Sequence, residues 1–260
     1  MFDGKSKYHL VWADEFQYEG RPDAEKWNYD IGEKWFNNES QAYTDHEENA
    51  CVRDGKLILR AVKEKYGTAD YTSARLTTWE RQSWQYGYFE IRAKLPDGAG
   101  AWPAFWFMPD AHRKGVRWPL CGEIDMMEHT HVHKGDLVYS LHSLNHNHTR
   151  NDVKQYSTSV YREGLFEEFH VYGMEWTPEY VEYFFDGESI CKYCKTDDKE
   201  DQTEKSWPYD QPFYLILNIA VGGFMGGPVK DEDLPYTMEI DYVRVYEKAD
   251  GVQNSAQCAE

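Results

Sequence analysis

Cationic residues are scarce in this chain. Its 260 residues include 28 Lys and Arg against 46 Asp and Glu, a formal net charge of -18. That balance argues against nucleic acid and anionic membranes as partners, because phosphate groups are bound by a basic surface. It suits solubility and a neutral partner. Long apolar runs are also missing. None reaches the roughly 18 residues of a membrane-spanning helix, so no membrane insertion is expected. The first ten residues, MFDGKSKYHL, lack the apolar stretch of a signal peptide. The chain is therefore expected to be either cytosolic or a mature form whose export signal has been removed.

Cysteines are few, odd in number and irregularly spaced: Cys51, Cys121, Cys191, Cys194 and Cys258. They imply no disulfide framework. The single C-x-x-C at 191–194 has no second pair at zinc-ribbon spacing and reads as a structural thiol pair at a strand end. Clean helical periodicity is absent too, apart from short candidates near 161–168 and 39–48. No internal repeat is present.

What the chain has instead is strand signal and aromatic rings. It contains 10 Trp, 20 Tyr and 12 Phe, with a mean hydropathy of only -0.81. The rings either line a groove and stack on sugars or reflect the ordinary aromatic content of β-rich proteins. Expected strands cover 10–16, 56–63, 74–78, 86–96, 101–109, 122–130, 137–143, 169–177, 180–187, 213–221 and 237–247. Many alternate polar and apolar residues between turn signals. Asp-Gly pairs at 54–55, 97–98 and 186–187 are turn candidates, and 169–187 reads as a hairpin turning near Thr177-Pro178-Glu179. The pattern predicts an all-β fold, a sandwich or jelly roll of two antiparallel sheets. A single domain over 1–247 is expected, with a polar, disordered tail over 248–260.

The stretch GEIDMMEHT, 122–130, seats Glu123, Asp125 and Glu128 among core-type residues. Alternate residues of a strand share a face, so Glu123 and Asp125 point together while Ile124 enters the core. Glu128 breaks the alternation by one residue. A β-bulge at Met126–Met127 would absorb that residue and return Glu128 to the same face. Two glutamates aimed at one point suit glycoside hydrolysis with retention, which needs two carboxyl groups roughly 5–5.5 Å apart. Clustered acids repel, so one should hold its proton near neutral pH, as a general acid requires. A solvated acidic strand or a calcium site is the competing reading.

The E-I-D-M-M-E stretch resembles the bulged catalytic signature of glycoside hydrolase family 16, in its laminarinase and β-1,3(4)-glucanase (licheninase) branch. The resemblance continues in order through WADEF (12–16), NNESQAYT (37–44), DGKLIL (54–59), YTSARLTT (71–78), GYFEIRAKLP (87–96), WPAFWFMP (102–109), RWPLCGEIDMMEH (117–129), LHS (141–143), LNIAVGG (217–223) and IDYVRVY (240–246). It implies a β-jelly roll with a concave substrate groove, and a retaining endo-β-glucanase acting on β-1,3 or mixed-linkage β-1,3-1,4-glucan. By motif position it implies Glu123 as nucleophile, Asp125 as its partner and Glu128 as acid/base. Trp118 would floor the subsite beside the cleaved bond. Trp102 and Trp106 would be further sugar platforms, although Trp106 could instead pack in the core. Asn38 and Arg75 match minus-side sugar contacts, with a structural ion pair as the alternative for Arg75. His142 would point into the groove near Glu128 or sit satisfied in the core. Family members often carry a structural calcium on the convex side, which here would fall to Glu15, Gly55 and Asp241, oxygen ligands from chain-distant turns. The polymeric substrate implies a secreted, periplasmic or cell-surface enzyme, and a monomer is expected.

The resemblance is weakest after the signature. His129, His131 and His133 alternate, and His146 and His148 follow. Three histidines on one strand face could bind a transition metal. The plainer reading is a polar loop at the groove rim. A non-catalytic glucan-binding jelly roll and a metal-dependent hydrolase are the rival functions.

Overall fold

The structure, a computed structural model, describes residues 7–150, 152–199, 202–249 and 258. Two antiparallel sheets pack face to face as a β-jelly roll. The convex sheet runs, edge to edge, through strands Glu188–Cys194, Tyr180–Phe185, His170–Trp176, Gly87–Lys94, Tyr236–Lys248, Lys56–Ala61 and Ala50–Arg53, and Tyr8–Asp14 also pairs with Tyr236–Lys248. The concave sheet runs through Tyr156–Tyr161, Asp136–His142, Glu123–His129, Ala101–Pro109, Phe213–Val221, Arg75–Thr77 and Asn28–Tyr29. A small parallel pair, Gln41–Tyr43 with Tyr71–Ser73, stands beside them.

Alternation explains the layering. In Ala101–Pro109, Phe105 and Phe107 face the convex sheet and are fully buried. Phe107 meets Phe89 edge-on at 4.9 Å between ring centroids, and Phe105 meets Tyr172 at 5.5 Å. Trp102, Ala104 and Trp106 take the other face, the concave one. The expected hairpin turns where the sequence places it, between His170–Trp176 and Tyr180–Phe185. Asp54-Gly55 and Asp186-Gly187 also close hairpins, with positive φ at all four residues. Asp97-Gly98 does not: the strands on either side of it lie in different sheets, so this turn crosses the sandwich.

Most of the aromatic content belongs to the core. The largest fully buried side chains are all Trp and Tyr, among them Trp27, Trp176, Tyr43 and Tyr172. Groove lining accounts for only a minority of the rings.

Three expectations need correction. Neither helix candidate is a helix. Residues 39–48 hold the short strand Gln41–Tyr43, whose fully buried side chains tie it to Tyr71–Ser73. Residues 161–168 are the end of a strand followed by turns around Gly164. The C-x-x-C is not a thiol pair. Residues three apart on a strand face opposite ways, and Cys194 is bonded to Cys258 with 6.0 Å between Cα atoms, while Cys191 is free. The described residues of the stretch expected as a tail over 248–260 are tied to the fold. Lys248 is still strand, Ala249 donates its N–H to the Lys7 carbonyl, and Cys258 is held by the disulfide. The remainder of that tail lies outside the described residues.

Candidate active site

The strand Glu123–His129 is central in the concave sheet, between Ala101–Pro109 and Asp136–His142. Its register carries the expected bulge. Against the first neighbour, Asp125 pairs with Trp106 and Glu128 with Ala104. Against the second, Glu123, Asp125 and Glu128 pair with His142, Ser140 and Val138. Five residues on the acid strand thus span four on its neighbour, and all three acids emerge on the face of Trp102, Ala104 and Trp106. Met126 and Met127 are both fully buried in the core, which anchors the bulge from below.

Each acid has a distinct setting. Glu128 Oε1 accepts a 3.0 Å hydrogen bond from the indole N–H of Trp102. Asp125 Oδ2 lies 3.1 Å from His142 Nε2, out of line for a full hydrogen bond. Ligating atoms of Glu123, Asp125 and His142 lie within 4.8 Å of one another. Burial pushes Glu123 up to about 8, with the charge of Asp125 adding to it. Burial also pushes Glu128 up to about 7, against the Trp102 hydrogen bond, which favours the anion. Asp125 is raised by burial first and by Glu128 second. The trio therefore holds protons near neutral pH, so that acid and base forms coexist in one site.

The floor beside the acids is aromatic. Trp118 stands 6.0 Å from His142, ring to ring, and His148 tilts over Trp118 at 5.2 Å. Trp106 is half-buried, and its N–H donates to Asn218 Oδ1 at 2.7 Å. The Arg75 guanidinium lies over Trp106 at 4.6 Å and over Trp35 at 4.9 Å, and its Nε donates to Asp30 at 3.1 Å. Arg75 is thus both a groove residue and an ion-pair partner. Asn38 is exposed, with φ of 58°, on the loop beside Gly222 and Gly223. His142 lines the groove with a buried, unpartnered Nδ1.

Three neighbours of this floor escaped sequence reasoning: Glu39, Asn218 and Trp35. Glu39 receives a 2.7 Å hydrogen bond from Gln41 and is raised by burial. Asn218 donates to the Tyr43 hydroxyl at 2.9 Å, and a lone amide inside FYLILNIAV was a usable signal for it. Trp35 sits in a loop whose course nothing in the sequence reveals, whereas His148 lies over Trp118 in the stretch expected to be a polar loop at the rim.

The transition-metal alternative for the histidines fails. His131–His133 is a 3-10 turn, so the three histidines share no strand face. His129 is turned into the protein, with Nδ1 against the Asp136 carbonyl at 2.8 Å and its ring on Phe166. On the convex side, the carboxylates expected to hold calcium already have cations. Glu15 takes two hydrogen bonds from Arg244, at 2.7 and 2.8 Å, and Asp241 takes one from Arg92 at 2.7 Å. Gly55 lies against the Gln17 side chain. These side chains do not fit a calcium cradle, and no step of the chemistry runs through one.

Comparison with known proteins agrees with this geometry. Residues 36–244 match the family described as glycosyl hydrolases family 16. The chain is 45% identical over 252 residues to a beta-glucanase of Rhodothermus marinus, covering 94% of this chain and 87% of that protein. It is 35% identical over 250 residues to a glucan endo-1,3-beta-glucosidase of Cryptopygus antarcticus, covering 90% of each. The X-ray structure of the laminarinase from Rhodothermus marinus superposes with a TM-score of 0.88 at 43% identity, covering 94% of this chain and 98% of that one. This chain is a glycoside hydrolase and belongs to glycosyl hydrolase family 16.

Proposed function

We propose that the protein is a retaining endo-β-glucanase that hydrolyses β-1,3 and mixed β-1,3-1,4 linkages of glucan polysaccharides. The observation that carries this reading is the bulge, which aims Glu123, Asp125 and Glu128 at one aromatic-floored groove.

In the proposed mechanism Glu128 protonates the glycosidic oxygen as it leaves. Glu123 attacks the anomeric carbon and forms a glycosyl-enzyme ester. Glu128, now a base, takes a proton from water, which attacks the same carbon and releases Glu123 and a β-configured product. In the free groove the higher of the two glutamate values belongs to Glu123, the reverse of what a nucleophile needs. The substrate resolves this: the positive charge that develops at the anomeric carbon favours the Glu123 anion and leaves the proton to Glu128. Asp125 lies beside Glu123, and its charge and their shared hydrogen bond raise Glu123 in the free groove, so Asp125 couples the proton balance of the pair. Trp118 stacks under the sugar at the cleaved bond, and Trp102, Trp106, Arg75, Asn38 and His142 shape the groove around its neighbours. A polymer of this kind is met outside the cytoplasm, so we assign the enzyme to the secreted, periplasmic or cell-surface space.

Reducing-sugar release from laminarin, barley-type mixed-linkage glucan and cellulose tests the reading, with Glu123→Gln as control. Release from the first two and none from the control is the expected result. A folded protein that releases sugar from none of the three would instead be a glucan-binding module.

A further inference from the structure

The chain is hydrophilic, yet a few large apolar side chains stand in water, and two of the barest are phenyl rings near one end of the groove. Phe36 is 77% exposed and Phe224 is 75% exposed. They are far apart in sequence but tied together by backbone: the Phe224 N–H donates to the Asn37 carbonyl at 3.0 Å. Val132, 54% exposed, joins the same rim, where its methyl group reaches Gly227. Scattered apolar residues on a surface need no explanation, but a contiguous group does.

The rim is continuous with the catalytic floor. Glu39 and Gly222 form a backbone bridge. A β-carbon at Gly223, where φ is +72°, would stand 2.8 Å from the Asn37 carbonyl and 3.4 Å from the ring of Trp102, the residue whose N–H holds Glu128. Glycine at this position lets the Phe36 loop and the Phe224 turn close directly onto Trp102. Nothing charged is required at such a rim, and an uncharged polysaccharide presents apolar C–H faces that stack on aromatic rings.

We propose that Phe36 and Phe224 form an outlying sugar platform, which grips glucan units beyond those held by Trp118, Trp102 and Trp106 and makes the enzyme prefer long chains. The proposal rests on the glucanase reading above. Each ring would contribute mainly to KM, because it touches sugars remote from the bond being cut.

The test compares laminarin with a chromogenic β-1,3-linked disaccharide, using Phe36→Ala, Phe224→Ala and the double variant, with thermal melting as a check on folding. Loss of one stacked ring corresponds to about two- to tenfold in affinity. The expected result is a two- to tenfold fall of kcat/KM on laminarin per ring, through KM, and a matching fall in the laminarin-to-disaccharide ratio. An unchanged ratio in the double variant, whether both activities hold or both fall together, overturns the platform. A wild-type protein that cleaves neither substrate overturns the glucanase reading itself, a separate and recognisable failure.

Discussion

The two sheets treat the same side chain in opposite ways. On the convex sheet Glu239 is partly buried, which pushes its carboxyl up, but hydrogen bonds from Lys56 and Lys94 outweigh burial and hold it below its usual range. Glu15 is likewise held down, chiefly by Arg244. On the concave sheet Glu123 and Glu128 are raised by burial, and no lysine or arginine among the described residues pairs with them. Among the described residues, the basic neighbour that counters the rise is His142. The comparison separates a carboxylate that stabilises the fold from one kept for proton transfer. The first has a fixed cation, and the second is denied one.

The largest expected effect comes from removing the unpaired acids. Glu123→Gln and Glu128→Gln should each lower kcat/KM on laminarin by about 10³-fold or more, given the 10²–10⁴ attributed to a positioned acid or base alone. The same variants should be more stable than wild type in alkaline buffer. A carboxyl raised from 4.5 to about 8 keeps its proton in the fold while the unfolded chain loses it. Its burial therefore costs stability increasingly as pH rises from about 4.5 to about 8. Melting curves at pH 4.5 and pH 8 check the sign: the Gln variants should gain at pH 8 and match wild type at pH 4.5. Near-normal turnover by either variant would remove it from the proposed pair.

Much of this contrast was legible beforehand, because it is local. The acids, the one-residue slip in their spacing and the apolar residues between them are all within six positions, and strand geometry converts them into a bulge. The paired side is not local. Arg244 is 229 residues from Glu15, and Arg92 is 149 from Asp241. No periodicity reports which cation reaches which carboxylate. The same limit hid Glu39 and Trp35, which reach the groove from loops, and it left Cys194 without its partner Cys258, 64 residues away.

The next effect in size tests the bulge as the cause of the geometry. Deleting Met126 leaves four residues where the neighbouring strand has four, and strict alternation then keeps Glu128, now four positions after Glu123, on the same face without a bulge. Activity should therefore survive better than in Glu128→Gln. Unlike Glu128→Gln, the deletion should also lose stability, on the order of 2–5 kcal/mol, because a fully buried methionine leaves the core. Chemical denaturation distinguishes the two outcomes. A folded deletion variant as inactive as Glu128→Gln would show that the bulge itself, and not the shared face alone, aims Glu128.

A smaller effect concerns pH and activity. The working form needs one glutamate ionised and one protonated, so kcat/KM should fall on the alkaline side as the last proton leaves the trio, between about 7 and about 8. Asp125→Asn removes a neighbouring negative charge. With less repulsion, Glu123 and Glu128 should ionise more readily, and the alkaline limb should move to lower pH. A limb that stays in place would mean that Asp125 is not electrostatically joined to the pair.

The smallest effects belong to the paired sheet. Glu239→Gln should cost about 0.5–1 kcal/mol at pH 7, reduced by solvent screening. Its sign is opposite to that of the groove acids: a carboxyl held below its ordinary value stabilises the fold above about pH 4.5, and that stability is lost as pH falls through the folded value. Calcium removal should do less still. The Glu15 and Asp241 carboxylates already face Arg244 and Arg92, so a divalent ion would have to displace guanidinium groups that bind without it. Adding EDTA should therefore leave the melting temperature within about 2 °C, less than a 1 kcal/mol change produces in a domain of this size. A larger drop, restored by calcium, would mean that backbone oxygens near Gly55 and Asp241 hold a cation despite the arginines, and the convex sheet would then owe part of its stability to an ion as well as to its salt bridges.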